Sequence, residues 1–272
     1  MTFLKKDDIM VKIGGSRRSQ FVASHRSEKE NDMILFYVRH GDPQYAPDTL
    51  TPLGARQAEA IGRRLAVYGV DRIYTSPKFR ARETARPLCE ILKKTPTVVE
   101  FASEGLAWER FAVLSDDGKK TNFPFNVRYI KKLFTSPEMV AMGHDWHKHP
   151  DLARFNYEQA WEDHCNDVDE WILSLGYEHI RGTGRFRFVG QKEDAEKRIA
   201  LFAHQGFGSF FFAHLLDIPY PVYCTRFDIC HSGLTTVEMQ PIGEDLFIPM
   251  VLTLSNDGHL YRETIPSNYP KF

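Results

Sequence analysis

Cysteine is scarce in this chain: Cys89, Cys165, Cys224 and Cys230 are the four present in 272 residues. They form no CxxC pair, and their spacing does not describe a disulfide scaffold, which points to a reducing, intracellular setting. No apolar run approaches the roughly 18 residues of a membrane-spanning helix. The polar first residues lack the apolar core of a secretory leader, so the expected localisation is cytoplasmic. Excess charge of one sign is missing too, since 35 Lys and Arg face 36 Asp and Glu for a net charge of -1. Without a global field, nucleic acid and anionic membrane are not expected partners. Any anion must then be held by a local cluster of positive groups. Internal repeats and low-complexity tracts are absent as well, which excludes a solenoid.

What is present is ordinary for a globular protein: 42% hydrophobic and 26% charged residues, in a length suited to one large domain or a core domain with an insertion. Residues 1–32 show no regular period and read as an N-terminal extension. Order begins with Met33 and the apolar run Ile34-Leu35-Phe36-Tyr37-Val38, which reads as a strand buried on both faces. Thr51-Pro52 supplies an N-cap and a proline for the first helical position, and Ile61, Leu65 and Tyr68 fall on one helical face. Arg72 to Thr75 reads as a strand, Ser76-Pro77 as the start of a helix reaching about Leu92, and Thr97 to Phe101 as a third strand. The rhythm resumes with a strand over Ile199 to Ala203 and a Phe-rich helix from about Phe207 to Leu216. Two further strands fall near Leu234 to Met239 and Met250 to Ser255. This alternation argues for βαβ units and a mainly parallel sheet. Between about residues 112 and 197 it is interrupted. There Tyr157 to Leu175 is helical, with a stripe including Trp161 and Trp171 that reads as packing, and Thr183 to Gly190 resembles an irregular hairpin.

The chemistry concentrates at strand ends. Arg39-His40-Gly41 closes one buried strand and His204-Gln205-Gly206 another, and in a parallel α/β sheet functional groups gather at such carboxyl ends. Arg80 lies in the first turns of the helix after the second strand, at the same edge, where free N–H groups add positive character. Guanidinium groups match phosphate oxygens with forked hydrogen bonds. Gly41 removes a side chain beside His40, so a tetrahedral group could approach the backbone. A neutral imidazole is a competent nucleophile near pH 7, and the charge on phosphoryl oxygens must be held by fixed cations and donors.

This ordered set resembles the histidine phosphatase superfamily, also called phosphoglycerate-mutase-like. The resemblance rests on Arg39-His40-Gly41, on Leu50-Thr51-Pro52-Leu53-Gly54 with Gln57-Ala58, on Ser76-Pro77 with Arg80-Ala81 and Thr84-Ala85, and on His204-Gln205-Gly206. It spans residues 33 to about 110 and 198 to about 240. It implies a three-layer α/β/α sandwich with a mainly parallel central sheet over 33–272, plus a largely helical insertion, about 112–197, capping the active site. It implies a phosphohistidine intermediate on His40, a phosphate shell of Arg39, Arg80, His204 and Gly41, and a glutamate after the third strand as acid. Glu104 and Glu109 are the candidates. Glu109 is favoured because it follows the strand at the more usual distance and precedes Arg110, with burial near Trp108 raising its pKa and the arginines lowering it.

Departures narrow the activity. Asp42-Pro43-Gln44-Tyr45-Ala46 follows the first motif where mutases carry a Ser, Trp and Asn pattern. Gln205 stands where the acid-phosphatase and phytase branch has Asp. The expectation is a phosphomonoester hydrolase acting on a small phosphorylated metabolite or a phosphoprotein. A phosphomutase and a non-catalytic phosphate-binding scaffold are the alternatives. Arg82 and Arg86 compete with Arg80 as ligand. His144, His147, His149 and His164, with Asp145 and Asp151, offer spacings that can bind zinc. The expected chemistry needs no metal or cofactor, and a solvated loop explains that cluster equally well. Arg181, Arg185 and Arg187 alternate along a possible strand, either towards a second anionic group or as edge charges. His231-Ser232-Gly233 precedes a strand, in a place that could border the pocket, and receives no role.

Overall fold

The apolar run before Arg39 needs cover on both faces, and the fold supplies it. In the computed structural model, which describes residues 33–191 and 197–267, this run is β1 (Ile34–Arg39). The expected extension over residues 1–32 lies outside the described residues. A small hairpin follows, β2 (Pro43–Tyr45) and β3 (Asp48–Leu50), then α1 (Pro52–Tyr68), β4 (Arg72–Thr75), α2 (Phe79–Leu92), β5 (Thr97–Val98) and α3 (Glu104–Phe111). Next come β6 (Val113–Leu114), β7 (Thr121–Asn122), α4 (Arg128–Phe134), α5 (Pro137–Met142), α6 (Tyr157–Ser174), β8 (Tyr177–Ile180) and β9 (Arg185–Phe188). The chain ends with β10 (Arg198–Ala203), α7 (Gln205–Leu215), α8 (Tyr220–Cys224), β11 (Leu234–Pro241), β12 (Leu246–Asn256) and α9 (Gly258–Arg262).

Eight strands make one sheet in the order β5-β4-β10-β1-β11-β12-β9-β8. From β5 to β1 the neighbours run parallel; from β1 to β8 each pair is antiparallel. The expectation of a mainly parallel sheet thus describes the half that ends in the Arg-His-Gly and His-Gln-Gly motifs. The other half is mixed in because β11–β12 and β8–β9 are joined by short turns, which permit only antiparallel pairing.

Side chains alternate along β1 and sort into two cores. Phe36 and Val38 join Ala200, Phe202 and Ile73 under Ile61 and Leu65 of α1 and Ala85 and Leu88 of α2. Leu35 and Tyr37 face the opposite way, against Phe207, Phe210 and Phe211 of α7 and Trp171 of α6. The result is three layers, α/β/α. Helix α1 starts as its sequence dictates: the Thr51 hydroxyl accepts from the Gly54 N–H at 3.1 Å and Pro52 opens the first turn. At Gly62 a Cβ would sit 3.0 Å from both Pro87 Cβ and the Leu88 nitrogen, so glycine is what lets α1 and α2 touch.

Residues 112–191 are built into this frame. Their aromatic residues Phe123, Trp146 and Tyr157 belong to the same core as α7, and β8–β9 extends the sheet beyond β12. Trp171 packs edge-on against Tyr74 with ring centroids 5.4 Å apart, a packing role. Strand β5 is shorter than the expected Thr97 to Phe101. It stops at Val98, and Glu100–Ala102 coils into a 3₁₀ turn that buries Ala102.

Candidate active site

Strand register assembles the site. Parallel pairing of β1 with β10 sets Arg39 beside Ala203, and the His40 N–H donates to the Ala203 carbonyl at 2.9 Å. The next residues, His40 and His204, therefore leave the sheet side by side, with ring centroids 5.1 Å apart. A third ring, His231, comes from the loop before β11, 5.5 Å from His40.

Hydrogen bonding fixes the proton on His40. Its Nδ1 lies 2.7 Å from the Gly41 carbonyl. A carbonyl only accepts, so Nδ1 carries the hydrogen and Nε2 keeps its lone pair. Burial, with His204, Arg39 and Arg80 nearby, holds the His40 pKa well below 6.5, against the opposing pull of the Gly41 carbonyl. Burial and the same arginines likewise lower His204. His231 is pushed down to about 3, by burial first and then Arg39 and Arg80. Three neutral imidazoles thus stand among cations near pH 7.

Each arginine is anchored at one end. Arg39 donates through Nη1 to the Ile229 carbonyl at 2.5 Å and through Nη2 to His231 Nε2 at 2.7 Å. Arg80 donates through Nη1 to Asp48 Oδ1 at 2.8 Å and lies over the Tyr45 ring at 5.3 Å. The β2–β3 hairpin thereby orients Arg80. Arg39 Nε, Arg80 Nε and His204 Nδ1 are buried with no hydrogen-bond partner among the described residues. Buried donors left unmatched carry a cost of about 1–3 kcal/mol each, which an anion accepting from them offsets. Ser76 Oγ lies 2.7 Å from His204 Nε2 and accepts from the Lys78 N–H at 3.2 Å. Its hydroxyl hydrogen can then go to Nε2, leaving Nδ1–H as a donor.

Arg80 is 6% exposed, whereas Arg82 and Arg86 face solvent, so the register that favoured Arg80 is the buried one. Thr84, one turn on, accepts from the Gly41 N–H at 3.0 Å and donates to the Arg80 carbonyl at 2.7 Å. Gly41 itself needs a different explanation from the expected one. A Cβ there would lie 2.6 Å from the Gly54 carbonyl oxygen, so its missing side chain admits the first turn of α1 rather than a ligand.

The acid reading shifts from Glu109 to Glu104. Glu109 is exposed on α3, its neighbour Trp108 is 37% exposed and so supplies no burial, and Arg110 pairs with Asp167 at 2.6 Å. Glu104, at the start of α3, accepts from the Gly206 and Phe207 N–H groups at 3.1 and 2.9 Å. Burial raises its pKa, and those two N–H groups, then Arg80 and Arg39, oppose the rise. A Cβ at Gly206 would lie 2.2 Å from the Phe123 ring, so glycine lets that ring sit over the start of α7.

Other residues singled out in the sequence lie elsewhere. Arg181 pairs with Glu162 and Asp169, and Arg187 with Glu178 and Asp245. The His149 ring accepts from the Asp151 N–H at 3.2 Å, and the His164 ring packs among Phe111, Trp161, Phe207 and Phe210. Sequence reasoning gave Asp48, Ser76 and His231 no role, although Ser76 stood in a quoted motif and His231 just before a strand; Asp48 carried no signal. A cleft of about 240 Å³ is lined in part by Gln205, Asp228, Lys131, Arg226 and Ile229, the residue whose carbonyl accepts from Arg39, and by none of the three histidines or two arginines of the site.

The family model of the histidine phosphatase superfamily (branch 1) matches residues 35–109. Among solved structures, phosphoserine phosphatase from Entamoeba histolytica, in complex with 3-phosphoglyceric acid, is similar with a TM-score of 0.53 and 17% identity, covering 84% of this chain and 99% of that one. A mycobacterial glucosyl-3-phosphoglycerate phosphatase is similar with a TM-score of 0.51 and 17% identity over 82% of this chain and 99% of that one. A second mycobacterial protein, described as a hydrolase, gives 0.54 and 17% over 88% and 100%. No curated protein matches the chain in sequence. At such identities the structural likeness speaks for the fold. Residues 35–109, which hold Arg39, His40, Arg80 and Glu104, match the model of that superfamily, and the chain shares the fold of these solved structures.

Proposed function

We propose that this chain hydrolyses phosphate monoesters through a phosphohistidine on His40. The observation that carries the reading is the His40 ring, its Nδ1–H tied to the Gly41 carbonyl at 2.7 Å and its Nε2 left with a lone pair near the buried Arg80 and the part-buried Arg39. In the first step Nε2 attacks phosphorus. The bond from phosphorus to the ester oxygen breaks, and protonated Glu104 gives its proton to the leaving alcohol. In the second step the Glu104 carboxylate takes a proton from water as the water oxygen attacks phosphorus. The N–P bond breaks, and phosphate leaves with His40 neutral again. Arg39, Arg80 and His204 hold the phosphoryl oxygens throughout.

A small phosphorylated metabolite is the substrate class we favour. Two solved neighbours are named as phosphatases of phosphoserine and glucosyl-3-phosphoglycerate. Four free cysteines support a cytoplasmic setting, and no described helix is long and apolar enough to cross a membrane. The test is phosphate release from a generic aryl phosphate. Wild type turns over, and His40→Ala falls by about a thousandfold or more, as expected for loss of a covalent nucleophile. Equal rates in the two proteins would overturn the proposal.

A further inference from the structure

A second histidine cluster lies near the other end of α7. His214 is ten residues beyond His204, roughly 15 Å along the helix axis at 1.5 Å per residue. Three side chains from three elements converge there: Asp169 of α6, His179 of β8 and His214 of α7. His179 Nδ1 lies 2.9 Å and His214 Nε2 lies 2.6 Å from the same oxygen, Asp169 Oδ1, and the two ring nitrogens are 3.3 Å apart. A first-row cation held at about 2.0–2.1 Å in a tetrahedral site separates its ligand atoms by roughly 3.3–3.4 Å. The edge between the two ring nitrogens matches that at 3.3 Å, and the two edges to Asp169 Oδ1, at 2.9 and 2.6 Å, are shorter and would open on binding.

The surroundings match a cation as well. His179 Nε2 faces Asp217 Oδ2 at 3.3 Å, and that carboxylate is itself held by the Gly184 N–H at 2.6 Å. A carboxylate behind a ligating imidazole is the usual outer partner of a metal-bound histidine. The other Asp169 oxygen accepts from Arg181 Nε at 2.5 Å, which leaves Oδ1 turned to the two rings. Asp169, Asp217 and Glu162 against Arg181 give the cluster a formal excess of negative charge. The carbonyl end of α7 adds partial negative charge. The His179 and His214 side chains are 1% and 5% exposed, while Asp169 at 21% leaves a path to solvent. Among the described residues this is the one group of three or more ligand side chains gathered tightly enough for a metal; the histidines at 144, 147 and 149 are not part of it.

We propose that Asp169, His179 and His214 bind one divalent transition cation of the zinc class, with water in the fourth position, tying the β8–β9 hairpin to α6 and α7. The competing account is a hydrogen-bonded clasp in which both rings donate to Asp169. To decide, the full chain is stripped with a chelator and dialysed against Zn²⁺, and separately titrated with Co²⁺ while its visible spectrum is read. One equivalent of zinc, the intense visible bands of four-coordinate cobalt, and an unfolding temperature several degrees higher with zinc than with chelator are expected. Binding should persist in His40→Ala, which excludes the catalytic histidines. It should weaken at least tenfold in Asp169→Asn and His179→Gln, with aryl phosphate turnover unchanged. Should a variant fail to fold, zinc stoichiometry and the cobalt spectrum of the wild-type chain still decide. No stoichiometric zinc in the folded wild type, or equal binding in both folded variants, overturns the proposal and leaves the clasp.

Discussion

The two ends of α7 carry histidines in opposite company. At the N-terminal end His204 stands with His40 and His231 among Arg39 and Arg80, and two guanidinium nitrogens and one ring nitrogen are buried without a partner among the described residues. At the C-terminal end His214 stands with His179 among Asp169 and Asp217, each within 3.3 Å of a ring nitrogen. The same residue type thus stands among arginines at one end and closes on carboxylates at the other. The helix dipole favours an anion at the first end and a cation at the second. Unmatched donors mark a place where a ligand completes the structure, and matched charges mark a place that holds together by itself or around an ion.

Three changes at the N-terminal end would sharpen or break the contrast. The largest effect belongs to Glu104. Glu104→Gln keeps the shape but cannot deliver a proton, so kcat should fall by about a hundredfold to ten-thousandfold. Glu109→Gln, on an exposed position, should stay within about twofold. Steady-state kinetics on an aryl phosphate reads both, and an unchanged kcat in Glu104→Gln would leave the acid role unfilled. Next is Gly206→Ala. Its new methyl would land 2.2 Å from the Phe123 ring, and overpacking of this kind costs about 1–3 kcal/mol. A urea midpoint equal to wild type would mean that the ring moves freely away.

The last test is a pH slope. His40, His204 and His231 are held neutral when folded, so the unfolded chain binds protons that the folded chain refuses once pH drops below about 6.5. Stability should therefore decline as pH falls from about 6.5 towards the folded pKa values, about 3 for His231. Each group contributes up to roughly 1 kcal/mol per pH unit in that window. Urea midpoints at pH 7 and pH 5 measure the slope. His231→Gln, which can still accept from Arg39, should flatten it, and an identical slope would show that His231 is not held neutral.

Much of the active edge was readable before any coordinates. Apolar β1, the Thr51 cap and the two motifs after β1 and β10 are local patterns, and local patterns survive folding. Arg80 over Arg82 was readable too, because the buried face of α2 repeats at helical spacing and Thr84 shares it. Glu104 was misjudged for a physical reason. The distance count assumed a strand to Phe101, but the chain coils at Glu100, so α3 begins at Glu104 and delivers that residue, not Glu109, to the start of α7. For Gly41 the structure adds a neighbour that no local pattern pointed to, since an added Cβ would meet the Gly54 carbonyl.

Sequence alone determined the strand-end motifs, the caps, the balance of charge that rules out a global anion field, and the match of residues 35–109 to one family model. Those are set by residue type and short spacing. Tertiary structure decided which glutamate meets the arginines, that Asp48 orients Arg80, that β8 and β9 finish the sheet, and that Asp169, His179 and His214 converge. Each depends on register and packing between segments far apart in the chain, and no spacing along a single segment encodes such a meeting.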